Sequence, residues 1–116
     1  MLSAGDVILV NCQFTNPPKE KFAICVCPEE KLFFFINSRP RRLAEAQVEI
    51  QDYELDCLSH YSHVDTSKVV TFSERELHTS RQLDHISNLL KLRIKNRVRG
   101  HPHLAKRYAD LVEQNF

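Results

Sequence analysis

An apolar segment of the chain ends in small polar residues and a cluster of arginines. The stretch FFFINSRPRR carries Ser38 after its apolar run, followed by Arg39, Arg41 and Arg42 around Pro40. Guanidinium groups bind phosphate through paired hydrogen bonds, and the proline ring restricts the backbone between them. The spacing indicates either a small anion-binding patch at a strand end or a solvated loop, which is what most charge runs are.

Four histidines lie in two short stretches, HYSH and HPH, and His63 of the first is close to Asp65. Imidazole titrates near neutral pH, so a histidine near a carboxylate can transfer protons. We therefore predict His63 and Asp65 as proton-transfer groups. Zinc held by these histidines together with Cys57 or Asp65 is an alternative, but no pair has the spacing of a known zinc site. No metal or other cofactor is predicted.

The totals of the chain narrow the class of protein. With 116 residues, 42% of them hydrophobic, the chain is predicted to form a single domain, residues 1–116, around one core. The 16 Lys and Arg residues nearly balance the 15 Asp and Glu residues, so any basic site has to be local. The chain has only two glycines, far apart, which excludes a glycine-rich phosphate loop.

The sequence also indicates where the protein works. No apolar run is long enough to span a bilayer, and the N-terminus lacks the pattern of a signal peptide. Cys12, Cys25 and Cys27 lie in strand-like segments, where reduced cysteine behaves as a small hydrophobic residue. We therefore expect a soluble cytoplasmic protein with free thiols and without a membrane partner.

The elements that must position the candidate residues are β-strands in the first 72 residues. Residues 7–14 are rich in β-branched and aromatic side chains and predict a strand. FAICVC and KLFFFIN are nearly continuous apolar runs on either side of the turn-like PEEK, and they predict a buried antiparallel hairpin. The segments AQVEI, YELDCL and SKVVTF complete the five or six short strands of a predicted small β-barrel.

The pattern becomes helical at Ser73. Ser73 and Glu76 have the Ser-x-x-Glu spacing of a capping box at the start of a short helical turn. Apolar residues four positions apart then predict an amphipathic helix that begins at Asp84 or Ser87 and ends just before Gly100.

A second helix is predicted to open at Pro102, because proline suits the first turn of a helix. Leu104, Tyr108 and Leu111 would form its apolar stripe. The order of elements therefore predicts an α+β domain, with a β-barrel part at residues 1–72 and a helical part at residues 73–116.

Three short motifs resemble the PemK/MazF family of toxins from bacterial toxin–antitoxin systems. GDVILV, which begins at Gly5, matches the Gly-Asp and first strand of that family. INSR, which ends at Arg39, matches a family strand that ends in Thr-Ser-Arg or a similar triplet, and QVEI resembles the family's His-Val-Glu-Ile strand. The resemblance extends over most of the chain.

The resemblance implies a fold and an activity. The expected fold is a PemK/MazF-like barrel of the SH3-like type with C-terminal helices, usually as a homodimer. The expected activity is metal-independent endoribonucleolytic cleavage of single-stranded RNA that leaves a 2′,3′-cyclic phosphate. A cognate antitoxin protein is expected to occupy the RNA groove.

The resemblance also assigns residues. Lys21 stands where the family has an arginine, and Ser38 matches a family serine, so both are implied as catalytic groups beside His63 and Asp65. Asn37 stands where the family has a threonine. The residues implied at the RNA are Asn37, Arg39, Arg41 and Arg42.

Two other functions stay open. Because Lys21 and Asn37 replace the family's arginine and threonine, the chain can instead be a catalytically impaired relative that binds RNA or a protein partner without cleavage. The remaining alternative is a helical interaction module, in which the C-terminal helices dock a partner.

Overall fold

One antiparallel sheet forms the centre of the computed structural model, which describes residues 1–13, 17, 19–40 and 42–116. The strands are β1 (Asp6–Cys12), β2 (Lys19–Cys27), β3 (Leu32–Asn37), β4 (Gln47–Ile50), β5 (Ser62–Asp65), β6 (Val70–Thr71) and β7 (Arg81–His85). The helices are α1 (Glu74–Thr79), α2 (Asn88–Arg99) and α3 (Lys106–Asn115). The strand order is β4-β5-β3-β2-β1-β7, with β6 beside β3, so the chain forms a mixed α+β fold as predicted.

The sheet separates two apolar layers, because successive side chains of a strand point to opposite faces. One layer, the α2/α3 face, joins strand and helix residues: Val7, Ile24, Phe34, Val64, Leu90, Ile94, Val98 and Val112. The other layer, the α1 face, contains Ile8, Ala23, Cys25, Phe33, Phe72 and Leu77. Both faces of the central strands are therefore covered, which explains their nearly continuous apolar sequences.

Several strand predictions are confirmed and one is wrong. β2 and β3 confirm the hairpin, while β1 and β4 confirm the strands at residues 7–14 and in AQVEI. β1 ends at Cys12, and Phe14 lies outside the described residues. The strand predicted in YELDCL is wrong, because Gln51 and Glu54 form a capping box around a 3-10 turn at Asp52–Glu54.

Two strands lie outside the predicted set. β5 has a single apolar residue, Val64, and β7 has only Leu83, so neither shows the alternation that signals a strand. β7 pairs with the edge of β1, and its side chains are largely exposed. Residues 73–116 are therefore not purely helical, because β7 lies between α1 and α2.

The predicted barrel is not closed. Within the described ranges no backbone pairing joins β4 and β7, the strands at the two ends of the sheet. β4 is paired through β5 alone, and β7 through β1 alone. The sheet is therefore an open one with two edges.

The start and end of α2 agree with the sequence pattern. Ser87 Oγ accepts a hydrogen bond from the Leu90 N–H at 3.1 Å, so the helix begins after the second of the two predicted start points. Gly100 follows the helix, and its N–H donates to carbonyls of the last turn. Every fourth residue from Leu90 to Val98 is buried, which confirms the amphipathic pattern.

Two further observations concern the cysteines and the helices. Cys12, Cys25 and Cys27 are buried, and burial raises the pKa of the Cys25 thiol to about 12. None of the described helices combines the length and apolar character that crossing a membrane requires.

The capping box of α1 is confirmed and also ties the helix to β1. Ser73 Oγ accepts from the Glu76 N–H at 3.1 Å, and Glu76 Oε1 accepts from the Ser73 N–H at 2.8 Å. The second oxygen, Glu76 Oε2, accepts from the Gln13 N–H at 2.8 Å, just beyond β1. These backbone donors lower the pKa of Glu76, because they stabilise its ionised form.

We predict that Ser73→Ala lowers the free energy of unfolding by about 1 kcal/mol, because the Glu76 N–H loses its acceptor. Urea denaturation measures the change. Ser73→Thr is the control, since it keeps a hydroxyl at the same position and should retain most of the stability. Equal stability of Ser73→Ala and the native chain would show that the box contributes nothing.

His101 attaches the connection between α2 and α3 to Thr66, which follows β5. Thr66 Oγ1 donates to the Ala46 carbonyl at 2.7 Å, so its only hydrogen is used and it must accept from His101 Nε2 at 2.9 Å. His101 Nδ1 accepts from the His103 N–H at 3.1 Å, so His101 is neutral. The prediction that α3 opens at Pro102 is wrong. Because His101 and His103 lie in this turn, the helix begins at Lys106.

Stability should therefore fall at acidic pH. Burial, followed by the charge of His103, lowers the pKa of His101 below its ordinary 6.5. The unfolded chain then binds a proton on His101 more readily than the folded chain does. The contribution of His101 to the free energy of unfolding is therefore complete above pH 6.5 and decreases as the pH falls towards the lowered pKa. We expect His101→Gln to flatten the dependence of the melting temperature on pH in that window, and the exposed control His78→Gln to leave it unchanged.

Candidate anion-binding site

Three predicted site residues form a row across three neighbouring strands. Asn37 of β3 is the register partner of His63 of β5, and Lys21 Nζ of β2 donates to Asn37 Oδ1 at 2.6 Å. Because β3 lies between β2 and β5, residues in register point to the same side of the sheet. We call Lys21, Asn37 and His63 the polar row, because the three side chains lie next to one another on one face of the sheet.

Lys21 is held in two ways. Besides its hydrogen bond to Asn37, its ammonium lies 5.0 Å from the centroid of the Phe35 ring. A cation above an aromatic ring is stabilised by the negative face of the ring. These contacts place a positive charge next to the end of β3 on the α1 face.

A surface groove of about 390 Å³ borders the polar row where β3 ends. Its described lining comprises Lys19, Glu20, Lys21, Phe22, Ile36, Asn37, Ser38, Arg39, Leu58, Ser59, His60 and Ser62, and we call it the rim groove. Three of these residues are cations, Lys19, Lys21 and Arg39, against the single carboxylate of Glu20. The local charge is therefore positive although the net charge of the chain is only +1.

The arginines near the end of β3 differ in their position relative to this groove. Ser38 and Arg39 are exposed and line the rim groove, so they stand where an anion would bind. Arg42 is exposed but is not part of the lining. Arg41, predicted as an RNA-binding residue, lies outside the described residues.

His63 lies in the polar row but not in the lining of the rim groove. The residue is 7% exposed, and its Nδ1 has no hydrogen-bond partner in the part of the chain that the structure describes. Its ring packs edge-on against Tyr61, with the centroids 4.9 Å apart. A buried imidazole nitrogen without a partner costs free energy, so this position is not optimised for stability.

Asp65 shares the strand face of His63, two residues further along β5, but its carboxylate is already occupied. Asp65 Oδ1 accepts from the Ser67 backbone N–H at 3.0 Å, from Ser67 Oγ at 2.6 Å and from Gln47 Nε2 at 3.1 Å. These donors stabilise the turn after β5 and link it to β4. The contacts of Asp65 are therefore those of a structural acceptor.

The sequence analysis considered His60 only as a metal ligand, whereas the structure places it in the lining of the rim groove. Ser59 Oγ lies 3.0 Å from His60 Nδ1, and Ser62 Oγ donates to the His60 carbonyl at 3.0 Å. The position of His60 just before β5 would indicate its place in the groove, but the sequence does not reveal that strand. No group of three or more metal-binding side chains occurs among the described residues.

Comparison with known proteins adds no relative. No protein-family model matches the sequence, and no curated protein matches it significantly. The site therefore has to be interpreted from its own geometry.

We predict that His63→Phe raises the stability of the protein, because it removes a buried nitrogen without a hydrogen bond and keeps an aromatic ring against Tyr61. The expected gain is about 1 kcal/mol, or roughly 4 °C in melting temperature for a domain of this size. Calorimetry on the variant measures it, with the exposed His78→Phe as control. A lower melting temperature for His63→Phe would show that His63 serves the fold.

Proposed function

We propose that the protein is a PemK/MazF-like toxin that cleaves single-stranded RNA without a metal ion. The observation that supports the proposal is the convergence of the polar row with the positively charged rim groove. The residues that the family resemblance implies lie apart in sequence, yet Lys21, Asn37 and His63 occupy adjacent strands, and Ser38 and Arg39 adjoin them.

The groove has the chemistry that an RNA backbone requires. Arginine binds phosphate with a planar fork of donors, and lysine adds a compact positive charge. Arg39 and Lys19 can therefore hold the flanking phosphates, while Ser38 donates a hydrogen bond to a phosphate oxygen. An open groove also suits single strands, whose backbone is not confined to a helix.

Cleavage needs a proton acceptor for the 2′-hydroxyl and positive charge for the pentacoordinate phosphorus. Lys21 is proposed to supply charge at the phosphate, and Ser38 to orient it. His63 and Asp65 stay proposed as proton-transfer residues, although both are buried and Asp65 Oδ1 already accepts three hydrogen bonds.

The proposal extends to fold type and partners. The open sheet is proposed to be a divergent form of the SH3-like barrel of the PemK/MazF family, with a homodimer as the working assembly. A cognate antitoxin protein is the proposed inhibitor at the rim groove, and the proposed location is the cytoplasm, where the RNA is found.

A second candidate function is RNA binding without cleavage. It is favoured by the ammonium of Lys21, which already donates to Asn37 and lies against Phe35. A lysine held in this way still attracts phosphate, but it lacks the paired donors of the arginine that it replaces. The groove would then retain its affinity for RNA while the chemical step is lost.

The test is incubation of the purified protein with labelled single-stranded RNA of mixed sequence in the presence of a chelator. We expect a 2′,3′-cyclic phosphate end, and binding that weakens as salt rises, because phosphate contacts release counterions. Arg39→Ala should weaken binding about tenfold, since a charged hydrogen bond to phosphate is lost. Arg81→Ala, an exposed arginine on β7, is the matched control.

The outcomes separate the candidates. If the protein binds RNA and Arg39→Ala weakens this binding, but no cyclic phosphate is formed, RNA binding without cleavage is the function that fits. If the RNA is neither bound nor cut, and Arg39→Ala and Arg81→Ala behave alike, both candidates are wrong.

A further inference from the structure

Among the described residues that line the rim groove, one is a histidine, His60. It is exposed, unlike His63, which is buried three residues later, on β5. A side chain that transfers a proton to or from a bound RNA must contact the RNA. As a lining residue of the rim groove, His60 would contact RNA that is bound there.

The strand order places His60 across the groove from the lysines. β3 lies between β2 and β5, and the rim groove lies where β3 ends. Lys19 and Lys21 come from β2 on one side, whereas His60 comes from the segment that leads into β5 on the other. A phosphate bound beside Ser38 would therefore have the ammonium groups and the imidazole on opposite sides.

The ring of His60 is oriented by its neighbours. Ser59 Oγ lies within hydrogen-bond distance of Nδ1, at 3.0 Å, so one ring nitrogen is engaged. The backbone of His60 is also held, because Ser62 Oγ donates to its carbonyl. When Nδ1 carries the hydrogen and donates it to Ser59, Nε2 is a proton acceptor.

We propose that His60 is the general base of the cleavage reaction, an inference that rests on the proposed function. His60 Nε2 takes the proton of the 2′-hydroxyl, O2′ forms a bond to phosphorus, and the bond between phosphorus and O5′ breaks. O5′ takes a proton from the ammonium of Lys21. The products are a 2′,3′-cyclic phosphate and a 5′-hydroxyl, and the imidazolium returns its proton to Lys21 through water.

Attack and departure occur on opposite sides of the phosphorus in such a displacement. The base and the acid must therefore lie on opposite sides of the phosphate, and the strand order allows this, because His60 and Lys21 reach the rim groove from either side of β3. His60 therefore takes the role of base that the proposed function assigns to His63, because His63 is buried beside Tyr61 and does not line the rim groove.

The experiment compares the native protein with His60→Ala and with the control His78→Ala, an exposed histidine of α1. Cleavage is measured on labelled RNA across pH. Binding is measured separately, on the same RNA made with 2′-deoxy sugars, which cannot be cut. Added imidazole tests whether a free base in the open groove replaces the missing side chain.

We expect His60→Ala to slow cleavage about 100-fold, the lower end of what general base catalysis contributes. The rise of the native rate with pH should disappear in this variant, imidazole should restore part of the rate, and binding of the deoxy strand should change less than about twofold, because the phosphate contacts remain. His78→Ala should match the native protein in every measurement.

Three results would overturn the role of His60. The first is native cleavage by His60→Ala with an unchanged pH profile, which leaves the proposed function intact. The second is a loss of deoxy-strand binding as large as the loss of cleavage, which makes His60 a binding residue. The third is a native protein that binds the strand but never cuts it, and this result removes the proposed cleavage as well.

Discussion

The pairing of β3 with strands on both sides is the constraint on which the candidate site depends. Asn37 is the last residue of β3, and it adjoins Lys21 on one side and His63 on the other. Side chains along a strand alternate between faces, so a slip of one residue in either pairing would move a member of the polar row to the other face. The apolar residues of β3 hold the register, because Phe33 and Phe34 belong to different core layers.

Several buried polar groups lie in the strands close to this end of β3. Asn37, Gln47, His63 and Asp65 are all at least nine-tenths buried, and Gln47 Oε1 and His63 Nδ1 lack hydrogen-bond partners among the described residues. Such groups lower stability, and proteins generally keep them where function requires a polar interior. The two atoms without partners lie on adjacent strands, β4 and β5. The loss of stability that they cause therefore arises in one region of the molecule.

The rim groove differs in charge from the chain as a whole. A net charge of +1 gives the whole chain little attraction for nucleic acid, so any such attraction has to arise locally. The rim groove has a positive local charge, because its lining includes Lys19 and Lys21 from one strand and Arg39 from the end of another. The arginines elsewhere are partly used in ion pairs, such as Arg93 with Glu54 and Arg99 with Glu113.

The sequence by itself determined the local elements whose signals are short in range. The hairpin of β2 and β3, the capping box at Ser73 and the apolar spacing of α2 depend on neighbouring residues, so periodicity and capping rules predict them. Only the tertiary structure decided β5 and β7, because these polar strands exist through backbone pairing with β3, β4 and β1. For the same reason the sequence predicted Lys21, Ser38 and Arg39 as site residues but did not place His60 beside them, since the position of His60 in the rim groove depends on where β5 begins.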